Sequence, residues 1–263
     1  MRSARPSPGW YFRWAVFISR HEYLKAFLVF AAISASLAGA GLLLRVKELK
    51  IAGIFVAGSG LLLFAVSVAG LYRFYGKPSL RYYRRIIDAV GLLDRGPISI
   101  AEMHIGTYRH AYALADLLPD VTIQSIDCWD EEQSPAYGSL AALRAAETPP
   151  VNEPRIQALK AKLWKVPIAD ASCDAVVLGI GIHEFEPAAR EQLFVEAARI
   201  LKPRGKVVLF EHVRNVRNSL VFGLVVGHWP KRNEWICTLR RHFHDVKHLP
   251  VWPAIDLFTG IRP

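Results

Sequence analysis

Residues 98–127 (ISIAEMHIGTYRHAYALADLLPDVTIQSID) constrain the fold more than any other part of the chain. The apolar run from Ile98 to Met103 predicts a strand, and Gly106-Thr107 predicts a turn directly after it. Apolar residues then recur at helical spacing from Ala111 to Leu118, and a second β-rich run from Val121 ends in Asp127. This order predicts the front half of a βαβ unit, in which a glycine turn and a helix start face a ligand.

The same stretch resembles motif I of the class I methyltransferases that depend on S-adenosylmethionine. In that family an acid is followed by three alternating glycines, and the corresponding positions here hold Glu102, His104, Gly106 and Tyr108. An acid at the tip of the second strand accepts hydrogen bonds from the ribose hydroxyls of a bound nucleotide. The resemblance implies that S-adenosylmethionine is the cofactor and that six residues line its pocket: Glu102, His104, Gly106, Thr107, Asp127 and Cys128.

A second resemblance to the same family lies in residues 166–212 (VPIADASCDAVVLGIGIHEFEPAAREQLFVEAARILKPRGKVVLFEH). An apolar-Pro-apolar turn, an entry ending in Asp174, a central strand ending in His183 and an Arg-x-Leu-Lys-Pro turn follow in the family's order. Arg204 stands where the family's turn has its first glycine. The resemblance covers roughly residues 80–263 and implies a Rossmann-like, seven-stranded α/β sheet.

The catalytic candidate is His183. Methyl transfer requires mainly that the acceptor be aligned and water excluded, and a base is needed only when the acceptor carries a proton. Together with Glu184, Glu211 and His212, His183 follows a central strand, where α/β folds bind ligands. We predict His183 as a pocket residue or general base; a hydrogen-bonded structural histidine is the alternative.

Two uncharged apolar runs, Ala26 to Leu44 and Ile51 to Tyr72, precede this domain. Each has about the length that crosses ~30 Å of hydrocarbon, so the pair predicts a transmembrane helical hairpin. A buried hairpin in a soluble protein is the alternative. Small residues that would let the two helices approach closely are Ala31, Ala35 and Gly39 on the first helix and Gly53, Ala57 and Gly60 on the second.

The composition supports a membrane partner. The chain is 52% hydrophobic and carries a formal net charge of +10, and its basic residues crowd around the apolar runs. We find no nucleic-acid motif and therefore predict the lipid bilayer as partner and no nucleic acid. Basic residues on both flanks predict an integral membrane protein with both termini and the α/β domain on the cytoplasmic side.

The predicted organisation has four parts. Residues 1–25 form a basic, aromatic interfacial segment, residues 26–72 the hairpin, residues 73–97 a basic amphipathic connector helix, and residues 98–263 the methyltransferase-like domain. Within that domain the apolar stretch 218–229 is either a membrane-dipping segment, the wall of a lipophilic pocket, or a buried amphipathic helix.

A metal site is not predicted. His242, His244, Asp245 and His248 lie close in sequence, but a surface position at a helix–strand junction explains them better than a ligand cluster. The three cysteines also follow no metal or redox spacing.

The sequence therefore predicts a membrane-anchored methyltransferase that acts on a lipophilic small molecule, such as a quinone, isoprenoid, lipid or pigment precursor. The alternative is a non-catalytic, methyltransferase-like subunit that serves as scaffold or cap in a membrane complex. His104, Tyr108, Lys162 and Arg204 depart from the family pattern and favour this alternative.

Overall fold

The computed structural model describes residues 8–72, 83–85, 87–88, 91, 97–104, 108–127, 151–162, 165–179, 181–251 and 255–263. The internal contacts divide the chain into a helical unit, Pro8–Pro78 with Arg214–His228, and a sheet unit, Ser79–Val213 with Trp229–Pro263. Most of the predicted connector helix over residues 73–97 lies outside the described residues.

Two long helices, α1 (Pro8–Leu43) and α2 (Lys47–Leu71), pack against each other in the helical unit. The short connection between them carries Arg45 at a φ of 53°. The 36-residue α1 is continuous through the predicted interfacial segment and the first predicted apolar run. These two stretches therefore form one helix.

Glycines on α2 let the two helices approach closely. The Ser34 hydroxyl donates to the Gly53 carbonyl oxygen at 2.7 Å, and a Cβ at Gly53 would lie only 2.9 Å from the Ser34 carbonyl oxygen. A Cβ at Gly60 would lie 2.9 Å from Cγ of Phe30. Gly53 and Gly60 are thus confirmed as positions where the two helices approach closely, because neither has room for a side chain.

At the other four small residues, the predicted close approach of the two helices was wrong. Ala31, Ala35 and Ala57 are exposed, and a Cβ at Gly39 would meet no atom within 4 Å. Small size alone does not mark a helix interface, because a large ring such as that of Phe30 fills the space that a glycine leaves on the partner helix.

The helical unit leaves many large apolar side chains exposed. Among the described helices, Lys47–Ala69 is long and apolar enough to cross a membrane, with a mean hydropathy of 2.3, and only 11% of that window is buried. Phe27–Leu43 is apolar but shorter. The most exposed large apolar side chains of this unit are Leu42, Leu43, Leu44, Ile54, Phe55, Leu61, Leu62 and Val216.

A segment that follows the sheet's fifth strand joins the helical unit. Helix α5 (Val216–Phe222) packs against α2, and the 3-10 helix Gly223–His228 packs against α1 and α2. The Arg214 guanidinium donates to the Gly227 carbonyl oxygen at 2.8 Å and so ties the two ends of the segment together. Most of the predicted apolar stretch 218–229 is therefore packed on the hairpin helices.

The sheet unit contains seven strands in the order β3-β2-β1-β4-β5-β7-β6, with β7 antiparallel to both of its neighbours. This arrangement confirms the predicted seven-stranded α/β sheet. The strands are β1 (Ile98–His104), β2 (Val121–Asp127), β3 (Ile156–Lys160), β4 (Cys173–Leu178), β5 (Leu201–His212), β6 (His244–Val251) and β7 (Ile255–Ile261). In the described part of the sheet unit, the α-helices between these strands are α3 (Arg109–Leu117), α4 (Pro187–Ile200) and α6 (Arg232–Arg240).

The centre of the sheet is made from the most apolar runs of the sequence. In β4 the residues from Ala175 to Leu178 are all buried, as expected for a strand covered on both faces. The strand ends at Leu178, which is earlier than the apolar run suggests, and Ile182–Glu184 form a 3-10 turn. His183 therefore stands on a turn that follows the strand.

Polar residues brace the amino-terminal edge of the sheet. Asp174 accepts from the Ser99 amide at 2.9 Å and from the Lys202 ammonium at 2.8 Å. The Arg199 guanidinium donates to the carbonyl oxygens of Val166 and Ile168 and so fixes the turn before β4. These residues of the family pattern hold the fold together at the edge opposite the carboxyl ends of the strands.

Candidate active site

The strand order reverses between β1 and β4, which are hydrogen-bonded neighbours. From β1 the chain continues outward to β2 and β3, and from β4 it continues outward on the other side to β5. Ligands of such sheets bind outside the carboxyl ends of the strands at this switch point. The candidate site is therefore bounded by the ends of β1 and β2 on one side and of β4 and β5 on the other.

Three of the six predicted cofactor residues lie on described strands of the first side. His104 ends β1 and pairs in register with Asp127, which ends β2 and is half-buried. Glu102 lies two residues before the end of β1 and is fully buried. The other three, Gly106, Thr107 and Cys128, lie outside the described residues.

Glu102 is a buried acid next to a hydroxyl. Ser125, its register partner on β2, donates a very short hydrogen bond to its carboxyl group. Burial, reinforced by the charge of Asp127 and opposed by the Ser125 hydrogen bond, raises the pKa of Glu102 to about 8. Glu102 is therefore mostly protonated and neutral at neutral pH.

Tyr108, which the resemblance aligns with the third glycine of the motif, has a left-handed backbone conformation. Tyr108 precedes the helix with a φ of 50° and a ψ of 11°, which is the left-handed region that favours glycine. Its carbonyl oxygen accepts from the Tyr112 amide at 3.1 Å, which begins the helix. The alignment of Tyr108 with the third glycine of the motif stays a prediction.

Behind this turn lies a group of buried polar and aromatic residues that the sequence analysis did not single out. The ring of His110 packs edge-on against the rings of Tyr83 and Phe210, at centroid distances of 5.5 and 5.6 Å. A Cβ at Gly179, just after β4, would lie 3.2 Å from Nδ1 of His110. Arg109, also buried, hydrogen-bonds Tyr83. The sequence signal for this buried group was the pair of polar residues, Arg109 and His110, at the start of a mostly apolar helix.

The second side of the site is organised around Glu211, the buried penultimate residue of β5. One carboxylate oxygen accepts from the backbone amides of Gly181 at 3.0 Å and His183 at 3.2 Å. The other oxygen lies 2.7 Å from Nδ1 of His183 and 2.7 Å from the His212 amide nitrogen. Glu211 thereby fixes the turn after β4 to the end of β5.

His183 lies between two carboxylates. Its Nδ1 faces Glu211 at 2.7 Å and its Nε2 faces Glu184 at 3.0 Å. Each nitrogen must carry a proton to donate to its carboxylate, so the geometry calls for an imidazolium. Burial lowers the pKa of His183, but the charges of Glu211 and Glu184 outweigh burial and raise it to about 10. Burial likewise raises the pKa of Glu211, and His183 more than offsets this, so the net shift is downward.

This charge state matters for the predicted role of His183. A general base needs a nitrogen lone pair directed at the substrate. Here both ring nitrogens face carboxylates and the ring is a cation at neutral pH. The geometry suits a residue that positions Glu184 and the strand-end turn better than one that accepts a proton.

Aromatic rings cover the same cluster. His212 stacks on Trp229 with a centroid distance of 4.3 Å and an interplanar angle of 15°. Both rings also meet His183 edge-on, at 5.4 and 5.6 Å. The Trp235 indole N–H donates to the His212 carbonyl oxygen at 3.2 Å. The sequence analysis gave Trp235 no role in the site, and it considered Trp229 only as the last residue of the apolar stretch 218–229, one interpretation of which was the wall of a lipophilic pocket.

Two histidines near the carboxyl terminus pair with different carboxylates. His242 lies 2.6 Å from Glu191, and His248 lies 2.6 Å from Asp256. They therefore pair with two different carboxylates, one from α4 and one from β7, and do not share a ligand set with each other.

The comparisons with known proteins agree with this fold. Residues 110–209 match the family described as a methyltransferase domain. No curated protein matches the chain. The match identifies a methyltransferase domain within the predicted one.

Three solved structures illustrate the likeness. A protein from Anabaena variabilis, classed as a methyltransferase of an antibiotic biosynthesis pathway, has 19% identity and a TM-score of 0.52, with 66% of this chain and 65% of that chain covered. A SAM-dependent methyltransferase from Aquifex aeolicus has 15% identity and a TM-score of 0.52, with 68% and 89% covered. A 4+2 cyclase has 12% identity and a TM-score of 0.50, with 72% and 82% covered.

These identities show the fold alone. The chain spans somewhat less than two thirds of the length of the Anabaena protein. The cyclase demonstrates that the same fold also carries chemistry other than methyl transfer. The reaction and the substrate must therefore be argued from the site.

Proposed function

From the methyltransferase domain that this chain carries, we propose that it is a membrane-anchored, S-adenosylmethionine-dependent methyltransferase that acts on a lipophilic small molecule. The observation that carries the proposal is the arrangement at the switch point, where β1 and β2 end in His104 and Asp127 and β5 ends beside Glu211. One side of the switch point thus has the residues for a nucleoside, and the other has a charged cluster that can contact an acceptor.

The cofactor residues fit S-adenosylmethionine. Asp127 at the end of β2 is half-buried and would accept hydrogen bonds from the ribose hydroxyls. The start of α3 after Tyr108, where the backbone has a conformation that glycine favours, would present backbone N–H groups to the cofactor. Together with Glu102 and His104, the residues Gly106, Thr107 and Cys128 remain proposed members of the pocket. When bound, the cofactor supplies an electrophilic methyl group on a sulfonium sulfur.

The protein's own residues then have to hold the acceptor and exclude water. In this proposal His183 is a positioning residue: it keeps Glu184 in place, while Glu211 ties the turn to β5. The stacked rings of His212 and Trp229 provide an apolar wall beside this cluster.

The exposed apolar surface of the helical unit supports the membrane part of the proposal. Large side chains such as Leu43, Ile54 and Phe55 are more than two-thirds exposed. Each fully exposed side chain of this kind costs about 1.5–3 kcal/mol relative to burial, so a covering apolar phase is favoured. We propose a bilayer as that phase, with the termini and the sheet unit on its cytoplasmic side. Retention in the membrane pellet after alkaline carbonate washing would test the anchor, and complete release would contradict it.

The experiment that tests the function is S-adenosylmethionine binding by titration calorimetry on the full chain in a neutral detergent. We expect micromolar binding by the native chain and a roughly tenfold to hundredfold loss in Asp127→Asn, because the lost carboxylate accepts charge-assisted hydrogen bonds. Asp120→Asn, in the exposed turn before β2, removes the same charge and is the matched control.

The alternative function is a non-catalytic subunit of a membrane complex. It is favoured by Tyr108, whose side chain stands where the family's glycine lets the cofactor approach the backbone. The two functions differ in the same calorimetric experiment. No binding by the native chain, with binding gained by His104→Gly, would show a blocked pocket and would favour the scaffold.

A further inference from the structure

The turn between α1 and α2 carries exposed leucines beside basic side chains. Three leucines are 65%, 87% and 67% exposed: Leu42, Leu43 and Leu44. Three basic residues and one acid follow them: Arg45, Lys47, Lys50 and Glu48. Lys50 is half-buried and the other three charged residues are exposed. Residues 42–50 thus form a hairpin tip that is strongly apolar and also has more positive than negative charge.

Packing between the helices gives the hairpin tip a defined shape. A Cβ at Gly41, in the last turn of α1, would lie 2.8 Å from both Cγ and the amide nitrogen of Lys50. The start of α2 therefore lies directly against the end of α1, and the methylene stem of Lys50 packs there. Arg45, at a φ of 53°, makes the left-handed turn between the helices. A lysine in such a place buries its stem on apolar surface and keeps its ammonium in a polar layer.

The length of α2 determines how deep in a bilayer the hairpin tip would lie. The apolar window Lys47–Ala69 has 23 residues. At a rise of about 1.5 Å per residue it is about 34 Å long, and the hydrocarbon core of a bilayer is about 30 Å thick. When one end of this window lies at one interface, the other end therefore brings the hairpin tip to the headgroup layer of the opposite leaflet.

The two kinds of side chain in the hairpin tip favour different surroundings. Water leaves the leucines uncovered, and the hydrocarbon core alone disfavours arginine and lysine. The boundary between acyl chains and headgroups accommodates both, with leucines in the acyl region and basic side chains among the headgroups. Anionic lipid attracts basic residues next to a membrane-spanning helix. An acidic protein surface would pair with the charges, but the leucines would then face its polar groups.

We propose that the hairpin tip binds anionic phospholipid, with its three basic residues at the lipid phosphates and its three leucines in the acyl region. Guanidinium and ammonium groups form charge-assisted hydrogen bonds with phosphate, and here three such groups stand against the single acid Glu48. This inference rests on the membrane anchor of the proposed function and adds the class of lipid that the anchor selects.

The test uses the full chain in a neutral maltoside detergent. Dioctanoyl phosphatidylglycerol and dioctanoyl phosphatidylcholine, which share their acyl chains and differ in headgroup charge, are titrated in turn and followed by calorimetry. We expect phosphatidylglycerol to bind at least about tenfold more tightly, because each basic residue near the headgroups is attracted to anionic lipid. The ratio of the two affinities should fall as salt is added, since salt screens exposed charges.

The variant that isolates the charges is Arg45→Gln/Lys47→Gln/Lys50→Gln, which keeps polar side chains at the same positions. It should reduce the ratio of the two lipid affinities at least about fivefold. An unchanged ratio would show that the preference arises elsewhere in the chain and would overturn the proposal.

The matched control removes three exposed basic residues of the sheet unit in the variant Lys165→Gln/Arg204→Gln/Lys247→Gln. The net charge of the chain falls by the same amount as in the tip variant. The ratio of the two lipid affinities should stay within about twofold of the native ratio. A loss as large as that of the tip variant would show that only the net charge matters and would overturn the proposal.

The apolar part of the hairpin tip is tested by Leu42→Ser/Leu43→Ser/Leu44→Ser. The three leucines are largely exposed, so the substitutions remove little packing within the protein. Both lipids should bind about threefold more weakly or worse, with their ratio unchanged, because both have the same acyl chains. Unchanged affinity for both lipids would contradict the placement of the leucines in the acyl region.

The remaining outcomes separate the hairpin tip from the proposed function. Equal affinity of the native chain for the two lipids would overturn the anionic-lipid site whether or not any variant folds. The proposed function would still stand if the chain binds S-adenosylmethionine and resists carbonate washing. Complete release by carbonate would overturn the anchor and the lipid site together. Tight binding of poly-glutamate by the native chain, lost in the variant without tip charges, would identify an acidic protein as the partner and overturn the lipid.

Discussion

Glu102 and Glu211 are both fully buried carboxyl groups near the carboxyl ends of central strands, yet their pKa values shift in opposite directions. Glu102 on β1 receives a hydrogen bond from the Ser125 hydroxyl and lies near the charge of Asp127. Glu211 on β5 receives hydrogen bonds from three backbone amides and faces the His183 imidazole.

The difference shows that burial alone does not decide whether a carboxyl group is charged. Burial penalises both anions, but only Glu211 has enough donors and a nearby cation to compensate. The β1–β2 side of the switch point is therefore built around a neutral acid, and the β4–β5 side around an ion pair. Substituting the two acids in the same way should have very different consequences.

The largest loss of stability is expected for Glu211→Gln. An amide cannot accept from all four donors, and the substitution leaves His183 with one carboxylate fewer. Breaking a buried ion pair by removing one partner costs about 3–5 kcal/mol. Thermal unfolding of the full chain in detergent should show this as a fall in Tm of very roughly 10 °C for a domain of this size.

The control for this substitution is the double variant His183→Gln/Glu211→Gln. Because the double variant removes both members of the buried His183–Glu211 pair, it should be more stable than the sum of the two single effects predicts. A Glu211→Gln protein as stable as the native chain would show that the ion pair contributes nothing to the fold.

A much smaller loss of stability at neutral pH is expected for Glu102→Gln, because glutamine resembles the protonated acid and still accepts a hydrogen bond from Ser125. The sign of the pH dependence follows from the raised pKa. Between the ordinary value of 4.5 and about 8, the folded protein holds a proton that the unfolded chain releases. The native chain should therefore lose stability as pH rises through this window.

The variant has no proton to lose and should lack this contribution. The measurement is the free energy of unfolding of both proteins across the window, and the difference between them should grow to the order of a few kcal/mol at its upper end. Parallel pH curves for native and variant proteins would show that Glu102 is already ionised in the folded state, and the contrast with Glu211 would disappear.

The sequence was sufficient to predict the sheet but not this contrast. The seven-stranded sheet followed from the family resemblance, and the apolar runs of β4 and β5 predicted buried strands. The positions of Glu102 and Glu211 at the ends of such strands could therefore be predicted. The partners of the two acids could not, because Ser125 meets Glu102 only through the β1–β2 register. Trp229, likewise, reaches His212 only after the chain has passed through the helical unit.

The smallest changes in stability are expected from relieving backbone strain, which is present both before α3 and in β5. Tyr108 before α3 and Arg204 in β5 have φ values of 50° and 63°, and each stands where the family has a glycine. A side chain in this region costs about 1 kcal/mol, so replacement by glycine relieves strain at either position. The exposed Arg204 loses little else, and Arg204→Gly should raise stability by about 1 kcal/mol without changing cofactor affinity.

Tyr108→Gly is the informative member of the pair. The half-buried ring is lost, which offsets the relief of strain, so its stability should change by less than that of Arg204→Gly. Its affinity for S-adenosylmethionine should rise, because the cofactor gains a closer approach to the backbone at the start of α3. Calorimetry on both variants separates the two effects. If neither variant binds more tightly than the native chain, the start of α3 does not limit cofactor approach, and the strain at Tyr108 would then be a property of the turn alone, as it is at Arg204.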